Sequence, residues 1–271
     1  MRWIALAAAC LVQVATASAA ENATPAPQPG RGRDFVALGV GTRPDYQGSR
    51  DYRLSPFGYA TYRVDEVRYT WQGLSLKADF LELRSGGKWV GGIASTYVPG
   101  RHDVKNDAVD RLPDIAGTVE VGGFLGRRFA GVFNKSDAVS VSLGTAVDIG
   151  GVYSGYTLDL GLDYSTALSR RARAMVHLGT VYASDGFMDT QFGIDASGAL
   201  ASGLPAFEAK SGIYQVSAST GMNFQFTRRW GVFWQLAYTR LTADARDSPV
   251  VRSGGDPDQW RLGVALSYRL D

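Results

Sequence analysis

Two histidines, His102 and His177, and one cysteine, Cys10, are the chain's whole stock of imidazole and thiol groups. Those are the side chains that act near neutral pH as general base, nucleophile or soft metal ligand. His102 sits in Gly100-Arg101-His102-Asp103, a loop composition, and His177 lies in an alternating apolar and polar stretch. No Gly-x-Ser-x-Gly, His-x-Ser, phosphate loop or metal-ligand spacing accompanies them, so the sequence predicts neither a cofactor nor a metal. A hairpin around residues 168–172 would bring His177 beside Asp163 with matching parity. Without a nucleophile this reads as a neutralised pair inside the molecule in preference to acid–base machinery, and an enzyme is the last of the functions considered.

The elements that would hold these residues are long strands. Val139, Val141, Leu143, Val147 and Ile149 share one parity and Ser140, Ser142, Gly144, Ala146 and Asp148 the other. The same holds around Tyr156 to Tyr164, Ala172 to Tyr182, Tyr214 to Phe226, Trp230 to Tyr238 and Trp260 to Leu270. Period-two alternation places one face in an apolar medium and the other in a polar one. At 10 to 14 residues these stretches exceed the ~5–6 of a soluble strand and suit a tilted crossing of a bilayer. Their polar face carries Gly, Ser, Thr, Asn, Asp and Arg and few Lys or Glu, as in a confined wet lumen. Aromatics close the apolar rows at both ends: Tyr156 and Tyr164, Tyr214 and Phe226, Trp230 and Tyr238, Trp260 and Tyr268. Membrane girdles would put them there. Only closure satisfies every backbone group in lipid, so the expected fold is all-β, a transmembrane antiparallel up-and-down β-barrel.

Composition agrees. Glycine (33) and aromatics (12 Phe, 6 Trp, 13 Tyr) are abundant, and no apolar run approaches the ~20 residues of a membrane helix. Residues 1–20, with Arg2, an apolar stretch and a small-residue end, read as a signal peptide that takes Cys10 with it. Residues 21–33, rich in Pro and Gly, read as a flexible periplasmic lead-in, leaving the barrel to 34–271. The mature chain then has 27 basic and 26 acidic residues and no thiol, a balance that points away from nucleic acid.

The first half is less regular: 35–41, 55–63, 67–81, 89–98 and 115–129 read as strands, eleven in all with the six above. Bacterial single-chain barrels have even counts. Apolar parity switches at Gly73, so that residue marks either a bulge in a ten-stranded barrel or a turn in a twelve-stranded one, with twelve preferred. Short links at 83–88, 130–137, 168–171 and 227–229 alternate with longer ones at 100–114, 150–155, 183–211 and 241–258, the asymmetry of periplasmic turns and external loops. The inward parity carries Glu120, Asp148, Asp159 and Asp163 against Arg171, Arg173, Arg261 and Arg269, with His177 among them. These charges either cross-link into a plug or line a narrow channel.

Three stretches resemble the MipA/OmpV family of outer-membrane proteins. They are Pro44-Asp45-Tyr46-Gln47-Gly48-Ser49 with Asp51-Tyr52-Arg53 and Pro56; Tyr97 to Arg101; and Tyr238-Thr239-Arg240-Leu241 with Asp244-Ala245 and Asp247-Ser248-Pro249-Val250-Val251. The resemblance implies a barrel of the bacterial outer membrane, in contact with its lipid and lipopolysaccharide. It also implies a scaffold between a lytic transglycosylase and a penicillin-binding protein in murein synthesis and remodelling. One departure is the end of the chain, Tyr268-Arg269-Leu270-Asp271, where such barrels commonly finish on an aromatic. The motif residues Pro44, Asp45, Tyr46, Gly48, Ser49, Arg101, Arg240, Asp244, Asp247, Ser248 and Pro249 are candidates for an interaction site. Several of them are equally good turn formers. The expected function is a scaffold barrel, with a narrow channel for small solutes as the alternative.

Overall fold

A computed structural model describes residues 34–270, and among them twelve antiparallel strands close into a barrel in chain order. Expectations about the signal segment and the lead-in lie outside the described residues. The strands are β1 (Asp34–Pro44), β2 (Tyr52–Val64), β3 (Val67–Gln72), β4 (Ser75–Asp79), β5 (Trp89–Val98) and β6 (Thr118–Ala130). They continue with β7 (Ala138–Asp148), β8 (Tyr156–Ala167), β9 (Ala172–Ala183), β10 (Gly212–Gln225), β11 (Trp230–Leu241) and β12 (Asp258–Leu270). The seam pairs β1 with β12, Asp34 opposite Leu270 through Gly41 opposite Gly263, so no edge strand is left over.

Alternation along the chain becomes outside and inside in the barrel. On β12, Leu262, Val264 and Leu266 are 47–49% exposed whereas Ala265 and Ser267 between them are at most 2% exposed. Leucine and valine held outward in a continuous band make sense only where the solvent is hydrocarbon. At the two ends of the β11–β12 hairpin, Trp230 packs on Tyr268 and Tyr238 on Trp260, each pair 4.8 Å between ring centroids. The eight residue steps between the rings span about 27 Å along a strand, or about 20 Å at a tilt of ~40°, close to the apolar band of such barrels.

Gly73, with φ of +52°, is a turn and not a bulge. It joins β3 and β4 into a short hairpin, six residues up and five down, that rises through half of the wall. The hairpin stops where Gly73 N donates to Gly58 O and Tyr97 N to Leu74 O. Above it, β2 and the end of β5 face one another across a gap. Tyr214, expected in a girdle, is instead 5% exposed beneath the loops. The register of β10 slips between Ile213 and Gln215, and that extra residue turns the Tyr214 ring inward.

Turns at 65–66, 80–88, 131–137, 168–171 and 226–229 close one end of the barrel, and the loops at the other end are folded objects. They carry α1 (Asp107–Asp110), α2 (Asp185–Phe192), α3 (Ala196–Ser202), α4 (Ala243–Asp247) and α5 (Pro249–Arg252). Two buried apolar clusters join these loops into a cap across the mouth. One contains Phe187, Met188, Phe192, Tyr214 and Leu241, the other Tyr46, Val109, Leu112, Ile194 and Val250.

Candidate functional site

The three motif stretches, far apart in the chain, meet in this cap. Tyr46, in the β1–β2 loop, is 7% exposed and donates from its hydroxyl to Val250 O at 3.3 Å. Gly48 has a φ of +95°, and a Cβ there would fall 2.5 Å from Val251 Cγ2, so glycine is required both by conformation and by contact. Gln259 accepts from Gly48 N at 3.2 Å and donates to Ser49 O at 2.9 Å, while Asp256 N donates to Gly48 O. Ser248 is fully buried; its hydroxyl donates to Phe192 O at 2.6 Å and accepts from Val250 N, capping α5, whose first position is Pro249. The turn-forming reading therefore accounts for Gly48, Ser248 and Pro249.

The remaining motif residues divide between inside and surface. Asp45 binds Arg53 through one carboxylate oxygen and accepts from Lys105 N at 2.7 Å through the other. Arg240 grips Asp258 with two bonds, 2.9 and 3.1 Å, at the rim. Asp244 accepts from Lys210 N. Asp247 is a half-buried acid flanked by Arg246 and Arg252, which hold its carboxyl below the usual range. Arg101 lies beside Tyr46, half-buried, with Nη1 donating to Gln191 O at 3.1 Å. Burial pushes its pKa down to about 10 and raises that of Tyr46 to about 12.

Arg171, expected on the inward face, lies instead in the exposed turn before β9, because β9 begins only at Ala172, and the structure distributes the other lumen charges. His177 Nδ1 and Asp163 Oδ1 are 2.9 Å apart, directly across from one another in the β8–β9 register. Glu120, 3% exposed, takes the hydroxyl proton of Tyr153 as a hydrogen bond, tying the β7–β8 loop to the wall. Asp148 organises that same loop, accepting from Gly150 N, Val152 N and Tyr153 N and from the Thr118 hydroxyl. Arg269 donates to Arg228 O at the turn end, and Arg173, Asp159 and Arg261 project into the lumen from β9, β8 and β12.

What fills the lumen on the β1, β2, β11 and β12 side is apolar. Phe35 stacks on Tyr59 at 5.0 Å and Phe57 on Phe233 at 5.8 Å, with Met175 and Ala265 packed beside them. Sequence reasoning missed this cluster, although one signal existed: Phe233 is an aromatic on the parity that elsewhere is polar. On the opposite side the lumen keeps a polar chamber of about 210 Å³, lined by Lys77, Asp79, Asp159, Asp163, His177 and many hydroxyls. Arg68 and Arg128 reach Glu82 across its turn-end mouth, at 2.5 and 3.9 Å, and Asp79 fixes that turn by accepting from Leu81 N and Glu82 N. These first-half charges were hidden by irregular parity.

The fold resembles several solved membrane barrels at very low identity. The NanC porin aligns with a TM-score of 0.49 and 7% identity over 88% of this chain and all of that one. The translocator domain of the autotransporter NalP from Neisseria meningitidis aligns at 0.43 and 10% identity over 90% of each chain. OmpT, an outer membrane protein of Vibrio cholerae, aligns at 0.40 and 10% over 87% of this chain and 76% of its own. No curated protein sequence matches. A family model described as MltA-interacting protein MipA matches residues 36–270, which covers the whole described barrel but for its first two residues. With its lipid-facing exterior and closed antiparallel wall, this outer-membrane barrel belongs to the MipA family.

Proposed function

We infer that the protein is a closed scaffold of the outer membrane, which holds its turn end in the periplasm for cell-wall enzymes to dock on. The observation that carries this reading is the folded cap: Phe187, Met188, Phe192 and Leu241 are at most 4% exposed across the mouth, a packing that serves to seal and not to conduct. Short turns lie on the periplasmic side in barrels of this class. Here they hold seven basic residues against four acidic ones, whereas the loops hold seven basic against thirteen acidic. Arg170 and Arg171, and Arg228 and Arg229, stand at the tips of two neighbouring hairpins and suit an acidic partner surface. The family description supplies the partner class, a lytic transglycosylase of the MltA kind, and a penicillin-binding protein would be the second enzyme held.

The test is co-purification of murein enzymes from native membranes in mild detergent, repeated with Arg170→Glu/Arg171→Glu and Arg228→Glu/Arg229→Glu. Capture that falls at least tenfold in these variants supports docking on the turns; capture unaffected by both removes it. A solute channel is the second reading, favoured by the polar chamber. Steady ohmic conductance in planar bilayers would establish it and displace the scaffold.

A further inference from the structure

Eight acidic, basic or imidazole side chains line the polar chamber of the lumen, and six of them are engaged. Glu82 holds Arg68 and Arg128, and Asp163 holds His177. Asp79 accepts from Leu81 N, Glu82 N and Gly91 N. The remaining two, Lys77 from β4 and Asp159 from β8, are of opposite sign. Among the described residues Lys77 makes no ion pair and no hydrogen bond, and its Nζ stands 5.6 Å from the centre of the Phe124 ring. Asp159 likewise has no ion-pair partner. It feels the charges of Lys77 and His177 only through space, and His177 is already taken by Asp163.

The wall is shaped to keep these two groups apart and accessible. Gly144 of β7 lies directly opposite Asp159 in the register, and a Cβ there would fall 2.0 Å from Asp159 Oδ2. The carboxylate therefore lies flat over the glycine and leaves the space in front of it free. Beside the two charges the same chamber presents apolar surface from Phe124, Val90 and Met175. Charged groups that converge on a cavity without satisfying one another, next to an apolar flank, are the usual make-up of a small-molecule site.

We propose that the chamber binds a zwitterionic α-amino acid, its carboxylate on Lys77, its ammonium on Asp159 and an aliphatic side chain against Phe124. A ligand with a single charge would answer one of the two groups and desolvate the other at a cost, whereas a zwitterion forms a charge-assisted hydrogen bond with each. The volume sets the size. Benzene, with six non-hydrogen atoms, fills a cavity of ~150 Å³, so a chamber of about 210 Å³ suits roughly eight, the number in valine. This site goes beyond the docking reading, which concerns the outside of the turns and stands or falls separately.

The experiment titrates the full chain in nonionic detergent, at about 0.15 M salt so that free ions compete, with valine, valinamide and N-acetylvaline. The expected result is valine bound at least tenfold tighter than the amide, which lacks the carboxylate, and than the acetyl derivative, which lacks the ammonium. Lys77→Gln should weaken valine at least tenfold and leave valinamide unchanged; Asp159→Asn should weaken valine similarly and leave N-acetylvaline unchanged. Arg84→Gln, in the turn outside the chamber, should bind like wild type. Wild-type protein that does not bind valine, or binds the three compounds alike, overturns the proposal even if no variant folds. Lys77→Gln and Asp159→Asn proteins that both keep wild-type affinity overturn the assignment of the site, and tryptophan bound as tightly as valine overturns its placement in a chamber of this size.

Discussion

The wall from β6 to β12 and the sector from β2 to β5 solve the same problem by different means. In the first, strands of 11 to 14 residues pair along their length, and outward Leu and Val meet lipid. In the second, a hairpin of six and five residues leaves half the height unpaired, and the deficit is met by side chains. Arg53, Lys105 and Asp45 stitch the gap, while Tyr46, Val250 and Val251 anchor the loop above it. A wall held by its ladder tolerates changes in side chains; one held by side chains does not.

The sharpest way to break this contrast is a pair of truncations. Tyr46→Ala should cost on the order of 3–5 kcal/mol, as for deletion of a large buried aromatic, read by denaturant unfolding and by protease cleavage in loop 184–211. Leu160→Ala on the regular wall should cost far less, because lipid tails are as apolar as the leucine they replace. Similar losses for the two would abolish the distinction.

A charge placed outward probes the same boundary. Val264→Arg should destabilise by about 2–4 kcal/mol in vesicles, and Leu54→Arg, near the rim and beside the gap, by about 0–1 kcal/mol. A third probe is alkaline pH. Burial lifts the Tyr46 phenol from its ordinary 10 to about 12, so its stabilisation of the cap is complete below pH 10 and is lost as pH climbs through 12. Phenolate absorbance should track loop cleavage over that window, and Tyr46→Phe should remove the linked component. The smallest effect belongs to the turn end: Arg170→Glu/Arg171→Glu should leave stability within about 0.5 kcal/mol of wild type, since these exposed side chains have no core to lose.

The same contrast explains what was legible in the sequence. From β6 onward, period two locates each strand and face, and the pairing of Asp163 with His177 follows from one hairpin. Loop positions follow from Gly, Pro and Asp. The sector from β2 to β5 resists, since a parity switch at Gly73 fits bulge and turn alike, and two strands of five and six residues are too short to show a period. Tyr214 was misplaced because alternation cannot see a bulge. The lumen's aromatic cluster lies on the parity that is polar on neighbouring strands, and inward Phe57 and Phe233 matter only once the barrel brings β2 opposite β11. Of the motif stretches, turn chemistry was readable; their convergence on Tyr46 was not, because loops 45–51, 99–117 and 242–257 meet only after closure.

The seam between the first and last strands carries a consequence for biogenesis. Asp34–Pro44 has to wait for Asp258–Leu270, the last strand of the barrel in chain order, before its second edge is covered. More than two hundred residues of sticky ribbon must therefore be kept soluble until that strand has been made, and a premature stop anywhere upstream of it yields a sheet that can never become a cylinder.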